Sequence, residues 1–554
     1  ILGKPANLVV TDTNRKQSFE WTSLTANTGY TQTASEGPDT TNPSDAPLNL
    51  FPHAPADAQT TTVFSGASSV TASSYGSSFT YLPEVRPAAA VDGNPQTAWL
   101  DDSFAPPIGQ WWQIALTQPT TTGTVTLVQP QTGDPNRWIT KVTITFDGHQ
   151  PVTAELGPGS RSPTGQTISF PSRRYSTLRI TVDTIGQAPR LSATQATSSV
   201  GLAEVQIPGV TVHETVSLPQ DLLRSTGPSS IFDSLTLLMT RLRSSGVPPR
   251  SDTETALSRT FWLPTARTFT AAGSARVSPL APDDEIDRLV GRPGADHTGI
   301  VAYSMGRLPG DLSAGAIATL DGNPATVWEP GFGVAHQAGE WLEYNLPAPV
   351  SFDHLDLQVV ADGEHSVPTS ITVAADRGTV TLKLPTIADS RIPGSVVRVP
   401  LSLPQPLTGQ SIRITFDTVR IETTVNYNSQ SPLAMPIAIA EVGIPGLVAA
   451  PVPPVIPTTC RNDLLAVDGA PVWLSVAGPS SAALAGNALS VSLCGPDAGG
   501  LRLGPGNHTL SSTPGQVAGF DIDQLALTSA PGGGIPPAAA PAPPVAPPSI
   551  TVAS

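Results

Sequence analysis

The chain has 554 residues, more than one hydrophobic core usually serves, so its length predicts three or four domains. It contains 59 prolines and 48 glycines but only 13% charged residues, which favours short strands joined by turns over a helix-rich cytosolic enzyme. The formal net charge of -15 argues against a nucleic-acid partner, and no uninterrupted apolar stretch has the length of about 20 residues that crosses a membrane.

The first part of the chain, residues 1–62, is a lead-in segment that could contribute strands to a preceding domain. The chain begins at Ile1 without a Met or a signal peptide, although its composition is that of an exported protein. We therefore expect the natural start to lie upstream.

A duplicated motif dominates the next part. Asp-Gly-Asn-Pro-x-Thr-x-Trp occurs at 92–99 and again at 321–328, and each copy is followed by a Gly-x-Trp strand. Each unit then ends on a strand with Ala-Glu-Val and a Pro-Gly turn, at 203–209 and 440–446. Alternating apolar and polar residues between turn residues predict two antiparallel β-sandwiches, at 63–212 and 299–448.

Residues 213–298, between the repeats, are predicted to be a helical linker plus some strands. Apolar residues at helical spacing predict helices at 221–223 and 231–242, and an acidic first turn predicts another at 283–289. A catalytic carboxylate cluster is the alternative for the acidic turn. The alternation over 259–277 predicts strands that pair with a later domain, which would make the second repeat an insertion.

The last part contains a third, small β-sandwich at 458–530 and a Pro/Ala-rich linker or tail at 531–554. It also contains Cys460 and Cys494, which are the only two cysteines of the chain. An even pair suits a disulfide in an oxidising compartment, and two buried free thiols are the alternative.

The repeated motif and the late Ala-Glu-Val strand resemble the discoidin, or coagulation factor 5/8 C-type, family, which includes many bacterial carbohydrate-binding modules. The resemblance implies galactose-binding-type jelly rolls. The expected fold class is therefore all-β, with tandem antiparallel β-sandwiches joined by short helical linkers.

The same resemblance implies one structural Ca²⁺ in each repeat, held by motif side chains, backbone carbonyls just before them and the late Glu. The ligands carried over onto this sequence are Asp92, Asn94, Thr97 and Glu204, and then Asp321, Asn323, Thr326 and Glu441. A hard cation prefers several such oxygens, and Gly93 and Gly322 permit the turn that brings them together. The alternative is that Asp and Asn only make turn hydrogen bonds.

Sugar binding in this family uses loops at one end of the sandwich, where an exposed aromatic ring stacks on a sugar. The candidate residues are Phe104, Arg137, Trp138, Phe332, His336 and His365, with ordinary surface or packing roles as the alternative. The motif tryptophans Trp99 and Trp328 are expected in the cores, together with Trp111 and Trp341. No catalytic residue is assigned, because motifs for hydrolase, nucleotide or redox chemistry are missing.

The chain as a whole is similar to the periplasmic, C-terminal part of the large D-type mycobacterial arabinofuranosyltransferases. This resemblance implies a non-catalytic, carbohydrate-binding part of a membrane glycosyltransferase that builds branched arabinan in arabinogalactan and lipoarabinomannan. Its partner would be cell-wall polysaccharide at the extracytoplasmic face, and an upstream domain would provide catalysis and the membrane association. A secreted glycoside hydrolase or an adhesin-like protein with discoidin-type accessory modules is the alternative.

Overall fold

Strands dominate the computed structural model, which describes residues 5–19, 30–36, 46–47, 55–76, 82–130, 136–188, 198–243, 252–308, 310–333, 337–425 and 432–537. The strands of the first half, numbered along the chain, are β1 (Asn7–Thr11), β2 (Ser18–Phe19), β3 (Ala46–Pro47), β4 (Thr61–Ser65), β5 (Ala67–Ala72), β6 (Trp99–Leu100), β7 (Trp111–Val128), β8 (Arg137–Phe146), β9 (His149–Glu155), β10 (Gln166–Gln187), β11 (Gly201–Leu202), β12 (Glu204–Gln206), β13 (His213–Ser217), β14 (Ser234–Thr240), β15 (Ser258–Leu263) and β16 (Arg267–Val277). Those of the second half are β17 (Val301–Ser304), β18 (Trp341–Val360), β19 (Val367–Arg377), β20 (Thr379–Lys383), β21 (Val396–Arg420), β22 (Thr423–Val425), β23 (Pro432–Ala434), β24 (Ile439–Glu441), β25 (Cys460–Val467), β26 (Ala470–Ala477), β27 (Leu489–Leu493), β28 (Leu501–Leu503), β29 (Gly506–Ser512) and β30 (Phe520–Ser529).

Helices are short. The α-helices are α1 (Asp221–Thr226), α2 (Asp283–Leu289), α3 (Ser480–Leu484) and α4 (Gly515–Ala518). The 3-10 helices are Ala56–Ala58, Pro83–Val85, Pro87–Ala90, Pro158–Arg161, Gly227–Phe232, Ala316–Leu320, Gly495–Asp497 and Pro531–Gly533. None of the helices among the described residues is long and apolar enough to cross a bilayer.

A 12-stranded sheet forms the central unit, in the order β1-β14-β30-β16-β27-β26-β25-β29-β15-β13-β4, with β28 added to β16. Its core contains Leu8 of β1, Leu474 of β26 and Phe261 of β15 in one cluster. Because these strands lie at the beginning, middle and end of the order, the sheet folds over on itself and encloses a single core. We call this unit the central sandwich.

The central sandwich is assembled from separated stretches of chain, at 7–11, 61–65, 213–277 and 460–529. The first repeat is therefore inserted between β4 and β13, and the second between α2 and β25. The strands over 259–277 pair with C-terminal strands, as the sequence predicts, whereas the separate units predicted at 1–62 and 458–530 become parts of one unit. Strands in 1–62 and 213–298 belong to the same unit as the C-terminal strands, because β1 pairs with β14, β4 with β13, β15 with β29 and β16 with β30.

The predicted helix at 231–242 is wrong, whereas α1 and α2 lie where helices were predicted. Ser234–Thr240 is strand β14, in which Leu235, Leu237 and Met239 are fully buried and their neighbours are partly exposed. Taken alone, the spacing of the apolar residues in this segment fits a helix or a strand. Backbone pairing with β30 on one side and β1 on the other selects the strand.

The two repeats have the same topology. The first has the sheet order β12-β7-β10-β8-β9 with β5 on β7, and the second has β17-β18-β21-β19-β20 with β24 on β18. Each encloses its own core, in which the motif tryptophans Trp99 and Trp328 are fully buried. Trp111 and Trp341 were expected in the cores but are only half-buried, and the guanidinium groups of Arg179 and Arg413 stack on their rings at 4.0 and 4.1 Å. The fold is all-β, as the sequence predicts.

A disulfide joins the start of β25 to the residue after β27. Cys460 and Cys494 are bonded, with 5.8 Å between their Cα atoms, and no free cysteine is present. The bond links the hairpin at 460–477 to the next strand of the central sandwich.

Candidate cation and carbohydrate sites

The duplicated motif folds into the same turn in both repeats. In the first, the backbone N–H of Asn94 donates to Asp92 Oδ1 at 2.9 Å, and the Thr97 hydroxyl lies 2.8 Å from Asp92 Oδ2. In the second, the backbone N–H of Asn323 donates to Asp321 Oδ1 at 2.9 Å, and the Thr326 hydroxyl lies 2.8 Å from Asp321 Oδ2. The two motifs therefore present their carboxylate and hydroxyl oxygens in one arrangement.

A glycine in the left-handed conformation makes each turn possible. Gly93 has φ +79° and Gly322 has φ +74°, and nothing lies within 4 Å of a Cβ built at either position. The requirement for glycine is therefore conformational rather than steric.

The late glutamate of each repeat reaches back to the motif from an edge strand, β12 or β24. Glu204 and Glu441 are 5% and 8% exposed, and Oε1 of each is buried without a hydrogen-bond partner in the described part of the chain. Burial and, to a smaller extent, the charge of Asp92 raise the pKa of Glu204 to about 7, against the lowering effect of the backbone amides of Gly93 and Asn94. Burial likewise raises the pKa of Glu441 to about 7, with Asp321 as the neighbouring charge.

Two explanations of these side chains can be compared, namely hydrogen bonds within the turn and binding of the implied cation. Turn hydrogen bonds account for Asp and Asn, since the Oδ1 atoms of Asn94 and Asn323 also accept amides two residues on, at 3.1 and 3.2 Å. They do not account for a glutamate buried against a second carboxylate with one oxygen unpartnered, which is costly without a counter-charge. A hard cation bound by mixed oxygens would offset that cost, so the residues fit.

The oxygen set is of the kind that suits a hard cation rather than a transition metal. Each set combines the Asp carboxylate, the Asn side-chain amide oxygen, the Thr hydroxyl and the late Glu carboxylate. In the first repeat, the backbone carbonyl of Ala89 also lies 3.4 Å from the Thr97 hydroxyl. In the described parts of the chain, no group of three or more His, Cys, Asp or Glu side chains is arranged to hold a metal. The ligand assignment therefore depends on the mixed oxygens, and calcium itself stays a prediction.

Both motifs face the junction between their repeat and the central sandwich. Asp92 and Thr97 line a cleft of about 590 Å³ at the first junction, and Asp321, Asn323 and Thr326 line one of about 480 Å³ at the second. An ion pair crosses each junction. Arg86 pairs with Glu214 of β13, and Arg307 pairs with Asp283 of α2 at 2.9 Å.

The loop end of the first repeat brings Arg137 together with two residues that the sequence analysis missed, Asp101 and Ser198. Arg137 Nε donates to the Ser198 carbonyl at 2.6 Å, and the Val200 amide donates to Asp101 Oδ1 at 2.7 Å. Asp101 Oδ2, Arg137 Nη2 and Ser198 Oγ are buried and have no hydrogen-bond partner among the residues that the structure describes. Burial raises the pKa of Asp101 to about 7, and the positive charge of Arg137 lowers it.

The aromatic candidates of this loop end differ in accessibility. Phe104 is 55% exposed, as expected of a ring that could stack on a sugar. Trp138 is half-buried, with the Arg161 guanidinium 4.4 Å from its ring centroid and Gly186 packed against its edge. Phe104 is therefore the more accessible of the two rings.

The loop end of the second repeat places His365 in an acidic setting. His365 Nδ1 lies 2.9 Å from Asp362 Oδ1, and Nε2 lies 3.4 Å from Glu329 Oε1. The hydrogen bond to Glu329, with the help of Asp362, raises the pKa of His365 to about 9, so the ring is protonated at neutral pH. Phe332 is 39% exposed, and His336 lies outside the described residues.

One sequence signal could have identified the acidic residues at both loop ends. An acidic residue follows the motif tryptophan within two positions in each repeat, as Asp101 after Trp99 and as Glu329 after Trp328. Because the tryptophan is anchored in the core, the residues just after it leave the sandwich at a fixed place.

Comparison with known proteins finds a family match within the first repeat and relatives over about half of the chain. Residues 69–194 match the family described as F5/8 type C domain. An alpha-(1->3)-arabinofuranosyltransferase of Mycobacterium tuberculosis is 29% identical over 333 residues, which are 55% of this chain and 22% of that protein. The enzyme of the same name from Mycolicibacterium smegmatis is 28% identical over 331 residues, 56% of this chain and 22% of that protein.

The fold as a whole also has a counterpart. A cryo-EM structure of the arabinofuranosyltransferase AftD from mycobacteria matches with a TM-score of 0.66 and 19% identity, covering 94% of this chain and 39% of that one. The chain spans about a fifth of the length of the two mycobacterial enzymes to which its sequence is similar. It carries an F5/8 type C domain and has the fold of part of AftD, which confirms the resemblance to D-type arabinofuranosyltransferases seen in its sequence.

Proposed function

We propose that this chain is a non-catalytic, glycan-binding part of an arabinofuranosyltransferase that builds branched arabinan of arabinogalactan and lipoarabinomannan. The support is the F5/8 type C domain, the arabinofuranosyltransferase relatives and the shared fold. On this proposal the chain works at the extracytoplasmic face of the membrane, binds arabinan or galactan, and leaves catalysis and membrane anchoring to another part of the enzyme.

The loop end of the first repeat carries the proposal for glycan binding. Asp101 Oδ2, Arg137 Nη2 and Ser198 Oγ are buried and unpartnered, and each such atom costs about 1 to 3 kcal/mol until something bonds to it. Sugar hydroxyls both donate and accept, so neighbouring hydroxyls can pair with a guanidinium and a carboxylate together. The exposed Phe104 ring adds a surface on which a sugar face can stack.

The cation sites are proposed to be structural, with one Ca²⁺ in each repeat. Asp92, Asn94, Thr97 and Glu204 would hold the first ion, and Asp321, Asn323, Thr326 and Glu441 the second. When bound, the ion neutralises the buried carboxylates and holds the late strand to the motif turn. It has no role in bond breaking in this proposal.

Titration calorimetry with arabinan and galactan oligosaccharides tests the binding. A shallow site with one stacking contact predicts a dissociation constant on the order of 10 µM to 1 mM. Arg137→Gln should weaken binding at the loop end at least tenfold. Arg174→Gln, on an exposed residue of the same repeat, is the matched control and should leave binding unchanged.

Two outcomes would count against the proposal. Absence of binding to every oligosaccharide would reduce the sandwiches to a scaffold. Release of shorter products during long incubation, followed by chromatography, would favour the glycoside hydrolase alternative.

A further inference from the structure

The cleft at the first junction has the size and surroundings of a ligand site. Its volume of about 590 Å³ lies within the range of roughly 300 to 1,000 Å³ typical of small-ligand pockets, which often occur between domains. One wall is the cation motif of the first repeat, and the floor is the outer face of the central sandwich. None of the loop-end candidates lines it, so it is separate from the loop-end site.

The floor of the cleft is a patch of hydroxyl groups on two paired strands. Ser258 is directly opposite Ser511, and Thr260 is directly opposite Thr509, in the register of β15 and β29. Arg259, between the two β15 residues, is completely buried, so the side chains of Ser258 and Thr260 point the other way, into the cleft.

The spacing of this patch follows from sheet geometry. Opposite residues lie about 5 Å apart, and alternate residues along a strand lie about 6.7 Å apart, so the four residues form a rectangular array. None of the four hydroxyls hydrogen-bonds to another group in the part of the chain that is described. The array can therefore donate to and accept from a polar ligand without breaking protein hydrogen bonds.

The walls add a fixed donor and acceptor. Arg86 donates to the Thr253 carbonyl at 2.9 Å and pairs with Glu214, and both side chains line the cleft. This pair is held in place from both sides of the junction, so it is preorganised. The half-buried Tyr30 and Phe64 contribute apolar surface beside it.

The charge of the lining restricts the class of ligand. The charges of the lining are largely paired, Arg86 with Glu214, Arg241 with Asp252, and Arg259 and Arg15 with Glu254. Because the lining guanidinium groups of Arg86 and Arg259 already pair with carboxylates, the described lining offers an anionic ligand no free positive charge. A neutral ligand rich in hydroxyl groups matches the floor, the walls and the charge together.

The second junction supplies an internal comparison. Its cleft occupies the equivalent place beside the second motif, but its walls contain the aliphatic residues Ile286, Leu312, Ile317, Val448, Val452 and Leu484. The two repeats share one topology, so a hydroxyl floor is not a general consequence of joining such a repeat to the central sandwich. From this contrast, and resting on the proposed glycan-binding function, we infer that the first junction cleft is a second glycan site, which binds a segment of a neutral oligosaccharide.

Calorimetry on Arg137→Gln, in which the loop-end site is disabled, tests this inference with linear arabino- and galacto-oligosaccharides. We expect binding to remain in Arg137→Gln and to weaken about tenfold or more when Thr260→Val and Thr509→Val are added. These changes remove hydroxyls while keeping the shape of the side chains. Thr153→Val, on an exposed position of β9, is the matched control and should have no effect.

Hydrogen exchange locates the site independently, because added oligosaccharide should protect amides of β15 and β29. Loss of all binding in Arg137→Gln, when the unmodified chain binds, would overturn the cleft site and leave the loop-end proposal intact. Binding that Thr260→Val and Thr509→Val do not change, without protection of β15, would overturn it as well. An unmodified chain that binds no oligosaccharide would contradict both proposals.

Discussion

Replacing Glu441 by Gln separates the effect of its buried charge from the effect of a bound cation. Its pKa of about 7, against the ordinary 4.5, corresponds to roughly 3 kcal/mol at about 1.36 kcal/mol for each pH unit. Because the pKa is raised in the folded state, the associated stability is fully present below pH 4.5 and is lost as the pH rises through about 7. Without a cation, the ionised carboxylate therefore destabilises the protein at pH 8.

The Gln side chain keeps the shape but cannot ionise. In chelator, Glu441→Gln should be more stable than the unmodified chain by up to about 3 kcal/mol at pH 8, and within about 1 kcal/mol of it at pH 5. With calcium the order should reverse. At a calcium concentration one thousand times the dissociation constant, the unmodified chain gains about 4.1 kcal/mol, which exceeds its deficit of about 3 kcal/mol, and the variant lacks the charged ligand.

Hydrogen exchange at peptides over 316–326 and 439–442 reports the second repeat alone, with and without calcium at both pH values. Glu364→Gln, an exposed glutamate of the same repeat, should change neither result. Two results would refute the reasoning. One is a Gln variant that is less stable than the unmodified chain in chelator at pH 8, and the other is a variant that calcium stabilises as much as the unmodified chain.

Three further predictions concern ionic and covalent contacts. The pKa of His365 is raised to about 9, chiefly by Glu329, so the free energy of unfolding that its charged form contributes should be present below pH 6.5 and lost as the pH rises through 9. Denaturation of His365→Gln should lack this pH-dependent loss. Arg86→Gln and Glu214→Gln should each destabilise the first junction by about 1 to 3 kcal/mol, and a double-mutant cycle should show that the two losses are not additive. Cys460→Ser should cost about 4 kcal/mol of unfolding free energy in denaturant, and an unchanged midpoint would show that the disulfide contributes nothing.

The duplicated units could be predicted from sequence because their signals are local. The motif at 92–99 encodes its own turn, through a glycine in the left-handed conformation and hydrogen bonds between residues two to five positions apart. Alternation of apolar residues identifies the half-buried strands without any knowledge of their partners. The fold class and the candidate cation ligands, Glu204 and Glu441 included, followed from these features and from the family resemblance.

Residues whose role depends on distant neighbours were missed. Asp101 and Ser198 are 97 positions apart by residue number and meet only because the Val200 amide and Arg137 tie their loops together. Nothing in either local stretch marks these side chains as buried and unpartnered. The hydroxyl patch on β15 and β29 was missed for the same reason, since Thr260 and Thr509 become neighbours only through strand pairing.

The sequence by itself determined the two repeats, their motif turns and the all-β class. The reason is that neighbouring residues are sufficient to set the backbone conformation of a turn and the alternation of buried and exposed side chains along a strand. The tertiary structure decided that Asn7 pairs with Ser234, that Leu235 lies in a strand rather than a helix, and that the first repeat, like the second, is an insertion in one central sandwich. The physical reason is that these pairings exchange backbone hydrogen bonds and bury side chains across more than 200 residues, and an apolar run compatible with two periods adopts the one for which a partner strand is available.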